Sequence, residues 1–159
     1  MPTPVLILCA VLGTSFGLPN SRAQKACSYV PAIITAAHKN NIEPSLLVSV
    51  IMVESAFKSS VVSSAGACGL TQVVPRWTGG PETGNKRYTC KQLKDPETSI
   101  KVGAKILSYN IRVYGKGNTR LGLCFYNAGT RCGNKGYATR LYYPKLVLRY
   151  KRVLDEEGC

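Results

Sequence analysis

One stretch constrains the fold of this chain more than any other: residues 46–57 carry a single carboxylate in an otherwise almost wholly apolar run. Pro44 suits the first turn of a helix, and apolar residues occupy every face of that helix, which predicts that it runs through the core. An ionised, unpaired Glu54 would cost several kcal/mol there, so it needs a partner or a raised pKa that suits a general acid near neutral pH. The structural alternative is an ion pair with Lys58 one turn further on.

The size and charge of the chain restrict its class. With 159 residues it is long enough for one domain with a substantial core and too short for two. Its formal net charge is +13, with only 8 acidic residues. This charge indicates an anionic partner: nucleic acid, a membrane surface or a negatively charged polymer. A basic surface that serves only solubility is the alternative.

The N-terminal segment has the pattern of an export signal. An apolar run from Val5 to Leu12 extends weakly to Leu18, and small residues around Arg22 provide a cleavage site after Ala23. We therefore expect a signal peptide at residues 1–23 and a catalytic domain at 24–159. Residues 1–4 lack the usual Lys or Arg, so an uncleaved anchor is the alternative.

The cysteines indicate a disulfide framework. Removal of Cys9 with the signal leaves an even set, which suits an oxidising compartment; its members are Cys27, Cys68, Cys90, Cys124, Cys132 and Cys159. Six cysteines allow 15 pairings, of which short loops favour Cys68 with Cys90 and Cys124 with Cys132, with Cys27 then joined to Cys159. Because paired C-x-x-C knuckles are absent and His38 is the only histidine, we expect no metal site and no cofactor.

The rest of the chain predicts a mainly α fold of about five or six helices. A short helix over Val30–Asn40 begins near Pro31, and a long irregular loop covers Arg76–Lys94, where binding surfaces tend to lie. Asp95 and Asn118 are candidate caps of two further helices, the second of which Gly129 ends. A last, strongly basic helix runs from about Tyr137 to Val153, with Pro144 kinking or interrupting it.

Four motifs, in order along the chain, carry a resemblance to a known family. They are Glu54–Phe57 (Glu-Ser-Ala-Phe), Gly66–Pro75 (Gly-Ala-Cys-Gly-Leu-Thr-Gln-Val-Val-Pro), Phe125–Gly129 (Phe-Tyr-Asn-Ala-Gly) and the tyrosine-bearing Thr139–Lys145. Together they resemble the catalytic domain of the soluble lytic transglycosylases (SLT), whose fold is that of goose-type lysozyme. The resemblance therefore implies a lysozyme-like single domain, which we expect three disulfides to staple.

The resemblance also implies a reaction. The family's single glutamate protonates the β-1,4 glycosidic oxygen between N-acetylmuramic acid and N-acetylglucosamine. It then acts as base while the sugar's own C6 hydroxyl closes a 1,6-anhydro ring. Ordinary retaining glycosidases need two carboxyl groups, whereas this chain offers one plausible core carboxylate, Glu54. The residues that would orient Glu54 or hold substrate are Ser55, Gln72, Tyr126, Asn127 and Tyr142.

The sequence departs from the family pattern in places. Thr71 stands where the family usually has methionine, and Phe125 where it often has alanine. Cys68 is unusual within the segment Gly66–Pro75, which we call the glycine passage. These residues can alter the floor of the cleft and, through a disulfide, rigidify the loop that carries Gln72.

Two other functions remain open at this stage. A hydrolytic muramidase of the same fold would admit water, and a non-catalytic peptidoglycan- or nucleic-acid-binding module would explain the charge. The resemblance favours a monomeric, periplasmic or extracellular enzyme that acts on peptidoglycan strands and binds no nucleic acid. Its setting is wall turnover, a secretion or conjugation apparatus, or a phage particle.

Overall fold

The chain is mainly helical, as predicted. The computed structural model describes residues 3–134 and 139–159, with side chains in the second range from Tyr142 onward. The α-helices of these ranges are α1 (Pro4–Thr14), α2 (Asn20–Lys39), α3 (Pro44–Ser55), α4 (Cys90–Leu93), α5 (Pro96–Tyr109), α6 (Thr119–Ala128) and α7 (Thr139–Glu156). A π-helical turn, Asn110–Tyr114, follows α5, and short 3-10 turns are formed by Pro75–Trp77, Pro81–Thr83 and Gly129–Gly133.

Helix α3 runs through the core, which confirms the prediction made from its apolar faces. It packs against α2 on one side and α7 on the other. Leu47, Val48, Val50 and Ile51 are completely buried, and each such side chain contributes about 1.5–3 kcal/mol relative to its exposed state. The helix is thus fixed in position over almost its whole length, and the carboxylate near its end is fixed with it.

The N-terminal segment packs against this same core. Leu8, Val11 and Leu12 of α1 are buried, and α1 lies along α2. Helix α2 begins at Asn20, so the prediction of a short helix beginning near Pro31 was wrong and the proline lies inside the helix. The polar residues before Val30 concealed the first half of α2, since only part of that stretch faces α1.

The caps of the later helices follow the sequence. Asp95 accepts a hydrogen bond from the backbone N–H of Thr98 at the start of α5, and Asn118 accepts one from Leu121 at the start of α6. Gly129, with a positive φ of 55°, ends α6. The expected start of the last helix at Tyr137 lies outside the described residues, and α7 continues through Pro144 to Glu156.

Three disulfides are present, but one pairing differs from the prediction. Cys68–Cys90 and Cys124–Cys132 form as expected. Cys27 pairs with Cys9, with their Cα atoms 4.8 Å apart, and Cys159 is a free thiol. The prediction of a Cys27–Cys159 bond was wrong for this chain because α1, which it treated as removed, brings Cys9 alongside α2. None of the described helices combines the length and the apolar character that a membrane crossing requires.

Candidate active site

The carboxylate of Glu54 lies near the end of α3 and is held by a tyrosine of α7. The Tyr143 hydroxyl donates a hydrogen bond of 2.6 Å to Glu54 Oε1. Burial raises the pKa of Glu54 from 4.5 to about 7, and the bond from Tyr143 lowers it by a smaller amount. Among the described residues Oε2 has no hydrogen-bond partner, and Lys58 forms no ion pair with Glu54, so the alternative of a structural pair was wrong.

The chain turns sharply just after Glu54. Ala56 and Phe57 both adopt left-handed conformations, with φ of 47° and 62°. Such a conformation is unfavourable for non-glycine residues and persists only where the surroundings enforce it. The anchors are Phe57, which is 2% exposed in the core, and Ser55, whose hydroxyl donates to the carbonyl oxygen of Leu70 over 2.8 Å. Ser55 therefore joins the end of α3 to the glycine passage and does not face a cleft.

The glycine passage makes a tight turn that only small residues can form. Gly69 has a φ of 80°, and a Cβ there would clash with the carbonyl oxygen of Leu93 in α4. Next to it, Thr71 is buried: its hydroxyl donates to the Ser99 carbonyl over 2.8 Å, and its N–H donates to the Ser99 hydroxyl over 3.1 Å. Gly103 leaves the room that the Thr71 side chain occupies. Thr71, where the family usually has methionine, thus fastens the passage to α5 by hydrogen bonds.

Gln72 also stabilises the passage. Its side-chain nitrogen donates to the carbonyl oxygens of Gly69 (2.9 Å) and Val61 (3.2 Å). Its backbone is left-handed, with a φ of 52°. The amide group of Gln72 thus links two segments of the loop through their backbone carbonyls. Its contribution to a site is to position neighbouring residues.

Two buried phenols adjoin Glu54. Tyr126 donates a hydrogen bond of 2.7 Å to the carbonyl oxygen of Thr71, and burial, with the Glu54 carboxylate nearby, raises its pKa far above the usual value. Burial and Glu54 raise the pKa of Tyr143 in the same way. Both phenols are therefore protonated hydrogen-bond donors at neutral pH.

The structure does not bring every predicted site residue to Glu54. Asn127 is exposed at the end of α6, and Tyr142 is 70% exposed. The tyrosine that contacts Glu54 is Tyr143, one position further along α7. Because successive helical residues point about 100° apart, a shift of one residue decides which phenol faces the core, and the motif alone did not reveal it.

An open cavity of about 670 Å³ adjoins this group. It is lined by Val73, Val74, Arg76, Trp77, Glu82, Ile106, Asn110, Tyr114, Phe125, Tyr126, Ala128, Gly129, Thr130 and Arg131. Its volume is within the range of about 300–1,000 Å³ that is typical of ligand sites. Neither Glu54 nor Tyr143 lines this cavity, but Tyr126 lies in its wall and is close enough to Glu54 to feel its charge. The sequence predicted a binding loop at Arg76–Lys94 but not the other residues of the cavity wall.

The other acidic residues are differently placed. Five of them pair with a basic side chain or cap a helix: Glu43, Asp95, Glu97, Asp155 and Glu156. Glu157 is exposed near the C-terminus. Glu82 lines the cavity, but its carboxylate folds back against Gly80 of its own turn. Glu54 is the one acidic residue of the chain whose pKa is raised to near neutrality.

No group of histidine, cysteine and acidic side chains within the described ranges is arranged to hold a metal ion. The arrangement around Glu54 offers acid–base chemistry: the carboxyl group has a pKa near 7, Tyr143 holds one oxygen, and no residue of 3–134 or 142–159 binds the other.

Comparison with known proteins identifies the family. A family model described as the transglycosylase SLT domain matches residues 31–141. A transglycosylase of Enterobacteria phage PRD1 is 29% identical over 133 residues, which cover 84% of this chain and 47% of the phage protein. Membrane-bound lytic murein transglycosylase C of Actinobacillus pleuropneumoniae is 47% identical over 55 residues, 35% of this chain and 15% of that protein. The chain thus spans less than half the length of these relatives.

The fold agrees with this assignment. The 70 kDa soluble lytic transglycosylase SLT70 of Escherichia coli superimposes with a TM-score of 0.70 at 26% identity, over 80% of this chain and 24% of that one. Residues 31–141, which the family model matches, contain α3 with Glu54, the glycine passage and helix α6 with Tyr126. This chain belongs to the transglycosylase SLT domain family.

Proposed function

We propose that this protein is a peptidoglycan lytic transglycosylase that cleaves the β-1,4 bond between N-acetylmuramic acid and N-acetylglucosamine and leaves a 1,6-anhydro-N-acetylmuramic acid end. The observation that carries the proposal is the carboxyl group of Glu54, which has a pKa of about 7 and is held by Tyr143. Its neighbour Tyr126 lines an open cavity. The names of the relatives support the reaction class, since one is a transglycosylase and another a lytic murein transglycosylase.

Glu54 acts first as the acid. Near pH 7 about half of its side chains carry the proton, because its pKa is about 7. With Oε1 accepting the hydrogen bond from Tyr143, the proton resides on Oε2, which has no partner among the described residues. Oε2 gives this proton to the glycosidic oxygen as the bond from that oxygen to C1 of the muramic acid breaks. The N-acetylglucosamine part of the strand departs as a neutral alcohol.

Glu54 then acts as the base. The carboxylate accepts the proton of the muramic acid's C6 hydroxyl while the hydroxyl oxygen forms a bond to C1, which closes the anhydro ring. Glu54 is protonated again at the end, so no water is consumed and one carboxyl group suffices. Tyr143 stabilises the carboxylate between the two steps, since a hydrogen bond to a charged acceptor is stronger than one to a neutral acceptor.

The other site residues position Glu54. Ser55 and Gln72 hold the end of α3 and the glycine passage through backbone carbonyl groups, and Tyr126 joins α6 to that passage through Thr71. Asn127 and Tyr142 are exposed, so contact with the glycan strand is the role left for them. The reaction needs no cofactor.

The setting that we propose is an exported enzyme, in the periplasm, outside the cell or on a phage particle, acting as a monomer on peptidoglycan and on no nucleic acid. One relative, which matches 84% of this chain, is a phage transglycosylase, and this supports a phage particle over a secretion or conjugation apparatus. The predicted signal at residues 1–23 supports export.

The products decide between this reaction and hydrolysis. An inverting muramidase uses a second carboxylate to activate water, and Glu82 is a carboxylate in the cavity wall. Purified peptidoglycan is digested and the released muropeptides are weighed. We expect anhydro ends, lighter by one water than hydrolytic products and without a reducing end. Reducing ends from the wild type would establish a muramidase, and no fragments at all would leave a binding module.

Two variants assign the chemistry to its residue. In Glu54→Gln the amide keeps the shape of the side chain but has no proton to give, so release of fragments should stop while the fold remains intact. In Glu82→Gln the anhydro ends should persist, because this carboxylate lies against its own turn. Reducing ends that the wild type releases and Glu82→Gln does not would instead identify Glu82 as the base of a hydrolase.

A further inference from the structure

One surface of the cavity carries a guanidinium group and an indole ring, neither of which takes part in the proposed cleavage of the glycosidic bond. Arg76 and Trp77 lie on the 3-10 turn Pro75–Trp77, with the guanidinium carbon 5.0 Å from the centre of the indole ring. Both residues line the cavity, and Trp77 is 68% exposed. Most of the indole surface is therefore open to a ligand that enters the cavity, and such sites are typically lined by aromatic side chains. The expectation of a binding loop at Arg76–Lys94 thus acquires a specific location.

The turn that presents this pair is fixed in advance. Thr78 is 3% exposed; its hydroxyl donates to the Pro75 carbonyl over 2.7 Å and accepts from the Tyr88 N–H over 2.9 Å. The Cys68–Cys90 disulfide closes the base of the same loop. A ligand that meets the indole and the guanidinium therefore finds them already oriented, which lowers the entropic cost of binding.

Arg76 forms no ion pair with the carboxylates that the structure describes. Within the described ranges no carboxylate lies within ion-pair distance of its guanidinium, although Glu82 lines the same cavity. A planar guanidinium matches the geometry of a carboxylate with two parallel hydrogen bonds. The indole offers a flat apolar face of the kind on which sugar rings stack. Together they match a sugar that carries a carboxylate.

We propose that Arg76 and Trp77 form a subsite for a carboxylate-bearing sugar residue of the glycan strand, with the indole against the sugar and the guanidinium on the carboxylate. This inference rests on the proposed function for the identity of the polymer. The carboxylate has two sources of the same chemistry: the peptide attached to muramic acid, or the lactyl group that becomes free when the peptide is removed. Tyr126 connects this surface with Glu54 along the same cavity.

Binding to three ligands tests the subsite. The full chain carrying Glu54→Gln, whose fold is checked by circular dichroism, is mixed with peptide-bearing glycan strands, with strands stripped by an amidase, and with neutral N-acetylglucosamine oligomers. Adding Arg76→Ala should weaken binding to carboxylate-bearing strands roughly fivefold and leave the neutral oligomers unaffected. Adding Trp77→Ala should weaken binding to all three, since every sugar has a face to stack.

A matched control separates the subsite from general charge. Arg112 is exposed, lies over the ring of Tyr109 with its guanidinium carbon 5.8 Å from the ring centre, and does not line the cavity. Arg112→Ala removes the same charge from a similar aromatic pair, and it should leave the affinities for all three ligands unchanged. An equal loss in both variants would show that only net charge matters and would overturn the subsite.

The remaining outcomes are also decisive. A loss confined to peptide-bearing strands identifies the peptide as the source of the carboxylate, and a loss with stripped strands identifies the lactyl group. Unchanged binding of carboxylate-bearing strands in Arg76→Ala, or an equal loss for the neutral oligomers, overturns the proposal. The wild-type protein's anhydro products are measured separately, so failure of the subsite leaves the proposed reaction standing, and the reverse also holds.

Discussion

Replacing Tyr143 with phenylalanine tests how the protein sets the acidity of Glu54. The change removes one hydroxyl, and with it the 2.6 Å hydrogen bond to Oε1. Such a bond contributes about 1.5–3 kcal/mol when the acceptor is ionised and about 0.5–1.5 kcal/mol when it is neutral. The ionised form thus loses about 1 kcal/mol more than the neutral form, which corresponds to a rise of ~1 pKa unit.

The rise has a defined direction in the pH profile of the reaction. Since Glu54 must be protonated for the first step, activity should fall as the pH rises through its pKa of about 7. In Tyr143→Phe this descending limb should move up by ~1 unit. The maximal rate should fall at the same time, because the carboxyl group loses the contact that orients it.

The assay follows the initial rate of release of anhydro-muropeptides from purified peptidoglycan, between about pH 4 and pH 10, with kcat/KM fitted as a function of pH. Tyr142→Phe is the matched control, because this neighbouring phenol is 70% exposed; its limb should coincide with that of the wild type. A descending limb of Tyr143→Phe at the wild-type pH or below it would refute the reasoning, whatever happens to the maximal rate.

Two further predictions concern stability. The free energy of unfolding of Glu54→Gln, relative to that of the wild type, should increase by ~2–3 kcal/mol between about pH 5 and pH 8. A carboxyl whose pKa rises from 4.5 to about 7 on folding destabilises the wild type once the pH exceeds 4.5, whereas the amide does not ionise. Urea unfolding at the two pH values would contradict this if the difference between the two proteins stayed constant. Replacing both Cys68 and Cys90 with serine should lower the free energy of unfolding by ~3 kcal/mol, since the bond closes a loop with a sequence separation of 22. It should also reduce activity more than the same change at Cys124 and Cys132, whose separation is 8. Equal losses of activity in thermally stable preparations of both double variants would show that the loop closed by Cys68–Cys90 does not support the site.

The parts of the fold that could be predicted are those that short stretches of sequence determine. The caps at Asp95 and Asn118 depend on residues within one turn, and the burial of α3 follows from its composition. Glu54 could be singled out for the same reason, because a lone carboxylate in an apolar helix requires an explanation wherever the helix packs.

The features that were missed depend on packing between distant segments. Whether Tyr142 or Tyr143 faces Glu54 depends on how α7 is rotated against α3, and no local pattern records that angle. The role of Gln72 could not be predicted either, since its partners are backbone carbonyls of a folded loop. The sequence shows that Thr71 departs from the family pattern. Its hydrogen bond to Ser99 could not be predicted, because that bond requires α5 to lie beside the glycine passage.

The bond between Cys9 and Cys27 connects the two sides of the predicted cut after Ala23. Oxidation before cleavage would therefore keep the N-terminal peptide attached to the enzyme even after the peptide bond is hydrolysed. Cleavage before oxidation would leave Cys27 without Cys9, and the thiol of Cys159 would then be its remaining candidate partner. If the predicted cleavage takes place, the partner of Cys27 in the isolated protein shows whether oxidation or cleavage came first, and a non-reducing peptide map identifies that partner directly.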